Sequence, residues 1–161
     1  MNIDQKKFND MFVNFEKIAE GRGYFFHKFE YYKNQIERCL RSEDVSEVVF
    51  GIYLAQELSE EKQIELLEPL VDIFIGDIGL SFRVAYIFNT LSKEVLINEV
   101  KNIIFNKKQS YDYIDVSIIL NFYQKIDINT AFFFCDTFRE LNDRDINECI
   151  DDFLEGLGGC L

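Results

Sequence analysis

The side chains that carry most enzyme chemistry are few in this 161-residue sequence and poorly spaced for it. His27 is the single histidine, so a zinc site would need cysteines or carboxylates to complete it. The four cysteines, Cys39, Cys135, Cys149 and Cys160, stand far apart without a CxxC pair. No GxSxG, P-loop, GxGxxG or HExxH motif occurs. Gly21-Arg22-Gly23 precedes a helical pattern, yet three residues make a better helix terminator and turn than an anion cradle. Carboxylates are the one reactive type in surplus. Glu61, Glu65, Glu68 and Asp72 fall at 0, +4, +7 and +11, which places them on one stripe if a single helix carries them. A di-metal carboxylate centre wants Glu-x-x-His pairs on facing helices, and one histidine cannot supply two. The expectation is no catalytic residue, no metal and no cofactor. His27 reads as a partly buried packing residue, and the stripe is either a solvated face or a binding surface.

Lys and Arg total 17 against 29 for Asp and Glu, giving a formal charge of −12 and a pI near 4.5. That charge repels phosphate, so direct binding to nucleic acid or anionic lipid is not expected. With hydrophobic types at 48% and charged types at 29%, the chain is expected to bury a core, and its length suits one domain. The longest apolar run, Val48 to Ala55, is too short to span a bilayer. Met1 to Lys7 reaches polar residues without an apolar h-region, so a cytoplasmic protein with reduced thiols is expected.

The elements that must position these groups are helices. Apolar residues recur at helical spacing nearly throughout, broken by one proline, Pro69, and eight glycines. Phe8, Met11, Phe12, Phe15 and Ala19 mark a first helix; Phe25, Phe29, Tyr32, Ile36, Cys39 and Leu40 a second. Ser42 is the expected cap of a third, with Val45, Val48, Val49 and Ile52 on its buried face. Ser59 caps a fourth (Ile64, Leu67, Val71, Phe74), which Pro69 either kinks or restarts. A fifth carries Phe82, Ala85, Tyr86 and Leu91, and a sixth, capped by Ser92, carries Leu96, Val100, Ile103 and Ile104. After the loop 106–110 come a seventh (Val116, Ile119, Leu120, Tyr123) and an eighth (Ala131, Phe134, Cys135, Phe138, Leu141). The ninth holds Ile146, Cys149, Ile150, Phe153, Leu154 and Leu157. The fold class is therefore all-α in one domain. It divides into an N-terminal hairpin (1–41), helical repeats (42–157) and a tail (158–161).

A shift of 33 residues superposes Tyr53/Tyr86, Leu58/Leu91, Ser59/Ser92, Glu61/Glu94 and Ile64/Ile97 as identities. A further 35 residues brings Asp127 onto the capping serine, with Phe132, Cys135 and Phe138 on the apolar stripe. Helix–turn–helix units of this length cannot bury their stripes alone and stack into a superhelix. From Val45 to Leu141 the units resemble HEAT-like α-α repeats; an irregular helical bundle is the other reading.

Charge is uneven. Residues 1–41 carry 8 basic and 6 acidic side chains, whereas 42–161 carry 9 and 23. Like charge at that density costs stability, so a surface for a basic partner is expected. The acids concerned are Glu57, Glu60, Glu61, Glu65, Glu68 and Asp72, then Asp143, Asp145, Asp151 and Asp152. Tyr111-Asp112-Tyr113 with Asp115 mixes aromatic anchors and acids, a composition of interfaces, although packing between repeats explains it equally. In its small, acidic, single-domain, helical character the whole chain resembles the immunity proteins of bacterial polymorphic toxin systems, including contact-dependent growth inhibition. That resemblance implies a monomeric inhibitor that covers the active site of a cognate toxin, a basic nuclease being the best fit. The alternatives are a phage-type inhibitor or adaptor whose acids imitate phosphate, a Mg²⁺-dependent carboxylate enzyme, and a structural subunit associating through Tyr24 to Tyr32.

Overall fold

Asp44, Ser59, Asp77, Ser92, Asp112, Asp127 and Asp143 punctuate the chain, each at the start of a helix in the computed structural model, which describes residues 28–158. Six of the seven accept backbone N–H groups that a helix start otherwise leaves unpaired. Among the described residues there are nine helices and no strand: α1 (Phe29–Leu40), α2 (Val45–Gln56), α3 (Glu60–Ile64), α4 (Leu67–Gly76), α5 (Ile78–Phe88), α6 (residues 93–106), α7 (Tyr113–Ile126), α8 (Ile128–Arg139) and α9 (Arg144–Gly158). The expected first helix, His27, Gly21-Arg22-Gly23 and Cys160 lie outside the described residues.

Pro69 restarts a helix. The expected fourth helix is two, α3 and α4, with Pro69 the third residue of α4, where its missing N–H falls among those without an intrahelical acceptor. Asp44 caps α2 in place of Ser42, whose hydroxyl instead accepts the Asp44 N–H, and Val45 is exposed. In α5 the expected stripe is out of phase. Leu80, Val84, Ile87 and Phe88 are buried, while Phe82 and Tyr86 stand 64% and 63% exposed. The Asp77 cap starts that helix one residue after α4 ends, and this sets its rotation.

The helices form two layers. α1, α4, α6 and α8 lie side by side in one, and α2, α5, α7 and α9 make the other, with α1/α2, α4/α5 and α7/α8 as the most closely packed hairpins. Gly51 lets α1 and α2 approach, since a Cβ there would meet Cys39 Cβ and Leu40 at 3.1 Å. Between the layers runs a chain of rings: Phe88, Phe74, Phe122, Tyr123, Phe134 and Phe138, with centroids 4.9–5.7 Å apart. Much of the aromatic content serves this spine. Asn142, at φ 55°, makes the left-handed turn from α8 to α9.

Polar contacts recur at a nearly constant separation along the described residues. Lys33 pairs with Glu65 at 2.6 Å and Lys108 with Glu140 at 3.2 Å, each across 32 residues. Glu60 accepts the Ser92 N–H at 2.9 Å, also across 32, and Lys93 reaches Asp127 at 3.2 Å. These contacts run one to three residues short of the sequence offsets of 33 and 35, and so join offset rather than equivalent positions. Ser59 and Ser92 both start helices, and Leu58 and Leu91 are both buried.

Candidate functional site

The acids named from the sequence separate into two groups by their partners. Glu65, Glu68 and Asp72 do not form one stripe, because the helix breaks between α3 and α4. Arg41 meets Glu68 at 3.4 Å and Asp72 at 3.6 Å, and Lys107 meets the same pair at 3.3 and 2.6 Å. These carboxylates bind α1, α4 and the end of α6 together, and their charge is largely neutralised within the chain. Glu60 is held by Ser92, whose side-chain hydroxyl first and backbone N–H second keep its carboxyl below the ordinary range. Glu61 is exposed, and Glu57 is half-buried at the end of α2.

Asp112, Asp115 and Asp143 cap helices. Asp112 and Asp115 form a reciprocal capping box, and burial first, then the Asp112 charge, raises the Asp115 carboxyl. Asp143 accepts the N–H groups of Asp145 and Ile146 at 2.9 and 3.0 Å. Asp151 pairs with Arg139 at 2.5 Å. Tyr111 is not an exposed anchor: its ring packs edge-on against Phe138, and burial, then Asp72 and Asp115, pushes its hydroxyl far above the ordinary range.

Three of the named residues converge: Tyr113, Asp145 and Asp152. They line an open groove of about 850 Å³ where α5 makes little contact with α7 and α9. Its floor is apolar, built from Ile78, Ile114, Ile118 and Phe153, with Ser117 and Asn121 between them. α9 supplies one wall. Its Ile146 and Ile150 are buried, which turns Asp145, Glu148 and Asp152, at 0, +3 and +7, toward the opening. Arg144 bonds Glu148 at 2.9 Å, but among the described residues no cation lies at ion-pair distance from Asp145 or Asp152. Ile78 is 68% exposed and Tyr113 48%. A surface with apolar floor and acidic wall suits a segment that is itself apolar on one side and cationic on the other.

The groove offers little for covalent chemistry. Cys149 lines it, but burial raises its thiol, and buried Cys135 is pushed up to about 11, so neither is a ready thiolate. Among the described residues no group of three His, Cys, Asp or Glu is placed to hold a metal ion. No described helix is long and apolar enough to cross a membrane.

Ile78, Ile114 and Glu148 were not legible as site residues. Glu148 carries a usable sign, since 145, 148 and 152 share one helical face. Ile78 carries none, because the groove exists only where α5 and α7 part. No family model, no curated protein and no solved structure matches the chain.

Proposed function

We propose that this chain is a non-catalytic binding protein that neutralises a basic protein partner, in the manner of a toxin immunity protein. The observation that carries the reading is the groove, where, among the described residues, no cation pairs with Asp145 or Asp152 beside an exposed apolar floor. Acids that staple helices have a structural reason to be there; Asp145 has only its place in the first turn of α9, and Asp152 has no ion pair among the described residues. Unpaired charge beside apolar surface favours fast association with a complementary cationic patch and slow dissociation once the apolar part is dry. A nuclease that holds phosphate with Lys and Arg presents such a patch around its active site, and covering it would stop the reaction by exclusion alone.

Phosphate imitation by the Glu61 to Asp72 acids is the weaker form of this idea, since Arg41, Lys33 and Lys107 already occupy most of them. The test uses a basic nuclease toxin, sought first in the gene directly upstream, where an immunity gene's toxin is expected. Purified protein should abolish its activity at one-to-one stoichiometry, and Asp145→Lys with Asp152→Lys should slow association most at low salt. Full activity of the toxin in the presence of excess protein would reject the reading.

A further inference from the structure

The groove between α5, α7 and α9 is bounded by two helical walls of matching length. On α7 its lining runs from Tyr113 to Asn121, and on α9 from Asp145 to Phe153, about 12 Å of helix in each case. Asp145 and Asp152 are seven residues apart, so they stand within about 20° of one another around α9 and about 10 Å apart along it. Both are exposed, whereas Cys149 and Phe153 on the same wall are half-buried. The wall therefore carries two carboxylates on its rim, two turns apart, above an apolar flank.

We infer that the occupant of this groove is an amphipathic helix of the basic partner. Two of its turns lie along α9, with Lys or Arg at two positions seven residues apart facing Asp145 and Asp152. Its large apolar side chains recur at three- and four-residue spacing on the adjoining face and cover the floor. The inference rests on the proposed function and adds to it the partner's secondary structure and register. Backbone chemistry selects the helix. The described residues contain no strand, so the groove borders no sheet edge. An extended segment would carry its N–H and C=O groups onto an apolar floor that cannot pair them. The polar groups of that floor are already engaged, since Asn121 Nδ2 donates to the Ser117 carbonyl at 2.8 Å and to its hydroxyl at 3.3 Å. A helix pairs its own backbone and presents side chains alone. Charge selects the register. Arg144 matches Glu148 at 2.9 Å, which leaves Asp145 and Asp152 as the two rim acids with no ion pair among the described residues. The stems of two lysines or arginines lie over apolar surface while their charged heads reach the rim.

The chain contains no tryptophan, so a probe peptide that carries one reports its own burial. The probe is a synthetic helix of about eighteen residues, with two lysines seven apart on one edge, Leu and a single Trp on the adjoining face, and Ala and Gln elsewhere. Titrated with the full chain, its emission should shift to the blue and saturate at one peptide per chain. Two control peptides should each bind at least about tenfold more weakly: one of the same composition with the lysines moved to the opposite face, and one with a central proline. Asp152→Lys, exposed within α9, should weaken the first peptide by a similar factor, most at low salt. Glu47→Lys, exposed on α2, should leave it unchanged. Equal binding by either control peptide overturns the inference, as does no binding at about 1 mM. Binding indifferent to Asp152→Lys puts the peptide elsewhere and overturns it too. The proposed function is read separately: neutralisation of a basic nuclease that Asp152→Lys impairs, while no helical probe binds, keeps that function and discards the helix.

Discussion

Lys107 Nζ lies 2.6 Å from Asp72 Oδ1 and 3.3 Å from Glu68 Oε1, joining the end of α6 to the middle of α4 across one repeat. Arg41 approaches the same two carboxylates from α1. Two cations thus hold two acids where three helices meet, so the most conspicuous acidic pattern in the sequence is absorbed by architecture. Each pair is partly exposed and worth at most about 1 kcal/mol by itself; it is the shared network that makes removal felt.

A double-mutant cycle on Asp72→Ala and Lys107→Ala should return a coupling of about 0.5–1 kcal/mol by urea denaturation, shrinking in high salt. Additive losses would mean that the pair contributes nothing measurable.

Asp127 links α7 to α8, accepting the Thr130 N–H and hydroxyl at 2.9 and 2.7 Å and facing Lys93. The Thr130 bonds first, and Lys93 after them, hold its carboxyl below the ordinary 3.8. A depressed carboxylate stabilises the fold at pH above its unfolded value, and that stabilisation is lost as pH falls through the lower folded value. Thermal melts should therefore show wild type ahead of Asp127→Asn at neutral pH, with the gap closing below about pH 4. A gap that stays constant into acid would contradict the assignment.

The Leu96 carbonyl accepts both the Lys101 N–H, at π-helical spacing, and the Tyr123 hydroxyl at 2.8 Å, in a fully buried site. Tyr123→Phe keeps the ring in its aromatic chain and removes only that bond. A loss of about 0.5–1.5 kcal/mol is expected from chemical denaturation, with an unchanged far-ultraviolet circular dichroism spectrum.

Gly51→Ala tests the tightest helix contact. The added methyl meets Cys39 and Leu40 at 3.1 Å, so α1 and α2 must part or Leu40 must turn, at about 1–3 kcal/mol. Wild-type stability in this variant would show the contact to be looser than described.

The helical class and most of the core were legible because apolar spacing survives without tertiary knowledge. Val116, Ile119, Leu120 and Tyr123 are all buried as their spacing predicts, as are Ala131, Phe134, Cys135 and Phe138. Phase failed at Phe82 and Tyr86: α5 is rich in apolar residues on every side, and the Asp77 cap chose the rotation. The identities at 33 residues did not foretell the polar contacts across 32, which involve Lys33, Glu60, Glu65, Lys108 and Glu140 and, of the identical positions, only Ser92. What each acid was for stayed hidden. A carboxylate that caps, one that staples and one that faces a groove have the same letter, and only the partners distinguish Asp143, Asp72 and Asp152.

The separation of stapling acids from the groove acids is the centre of the account, and stopped-flow association with the proposed basic partner protein across a salt series tests it most directly. Two variants are compared, Asp145→Lys/Asp152→Lys on the groove and Glu68→Gln/Asp72→Asn on α4. The groove variant should slow association steeply at low salt, with a loss of stability no larger than about 1 kcal/mol from the cation placed in the first turn of α9. The α4 variant should melt earlier and associate at the wild-type rate. The reverse pattern, with association lost on α4 and untouched in the groove, would contradict the account.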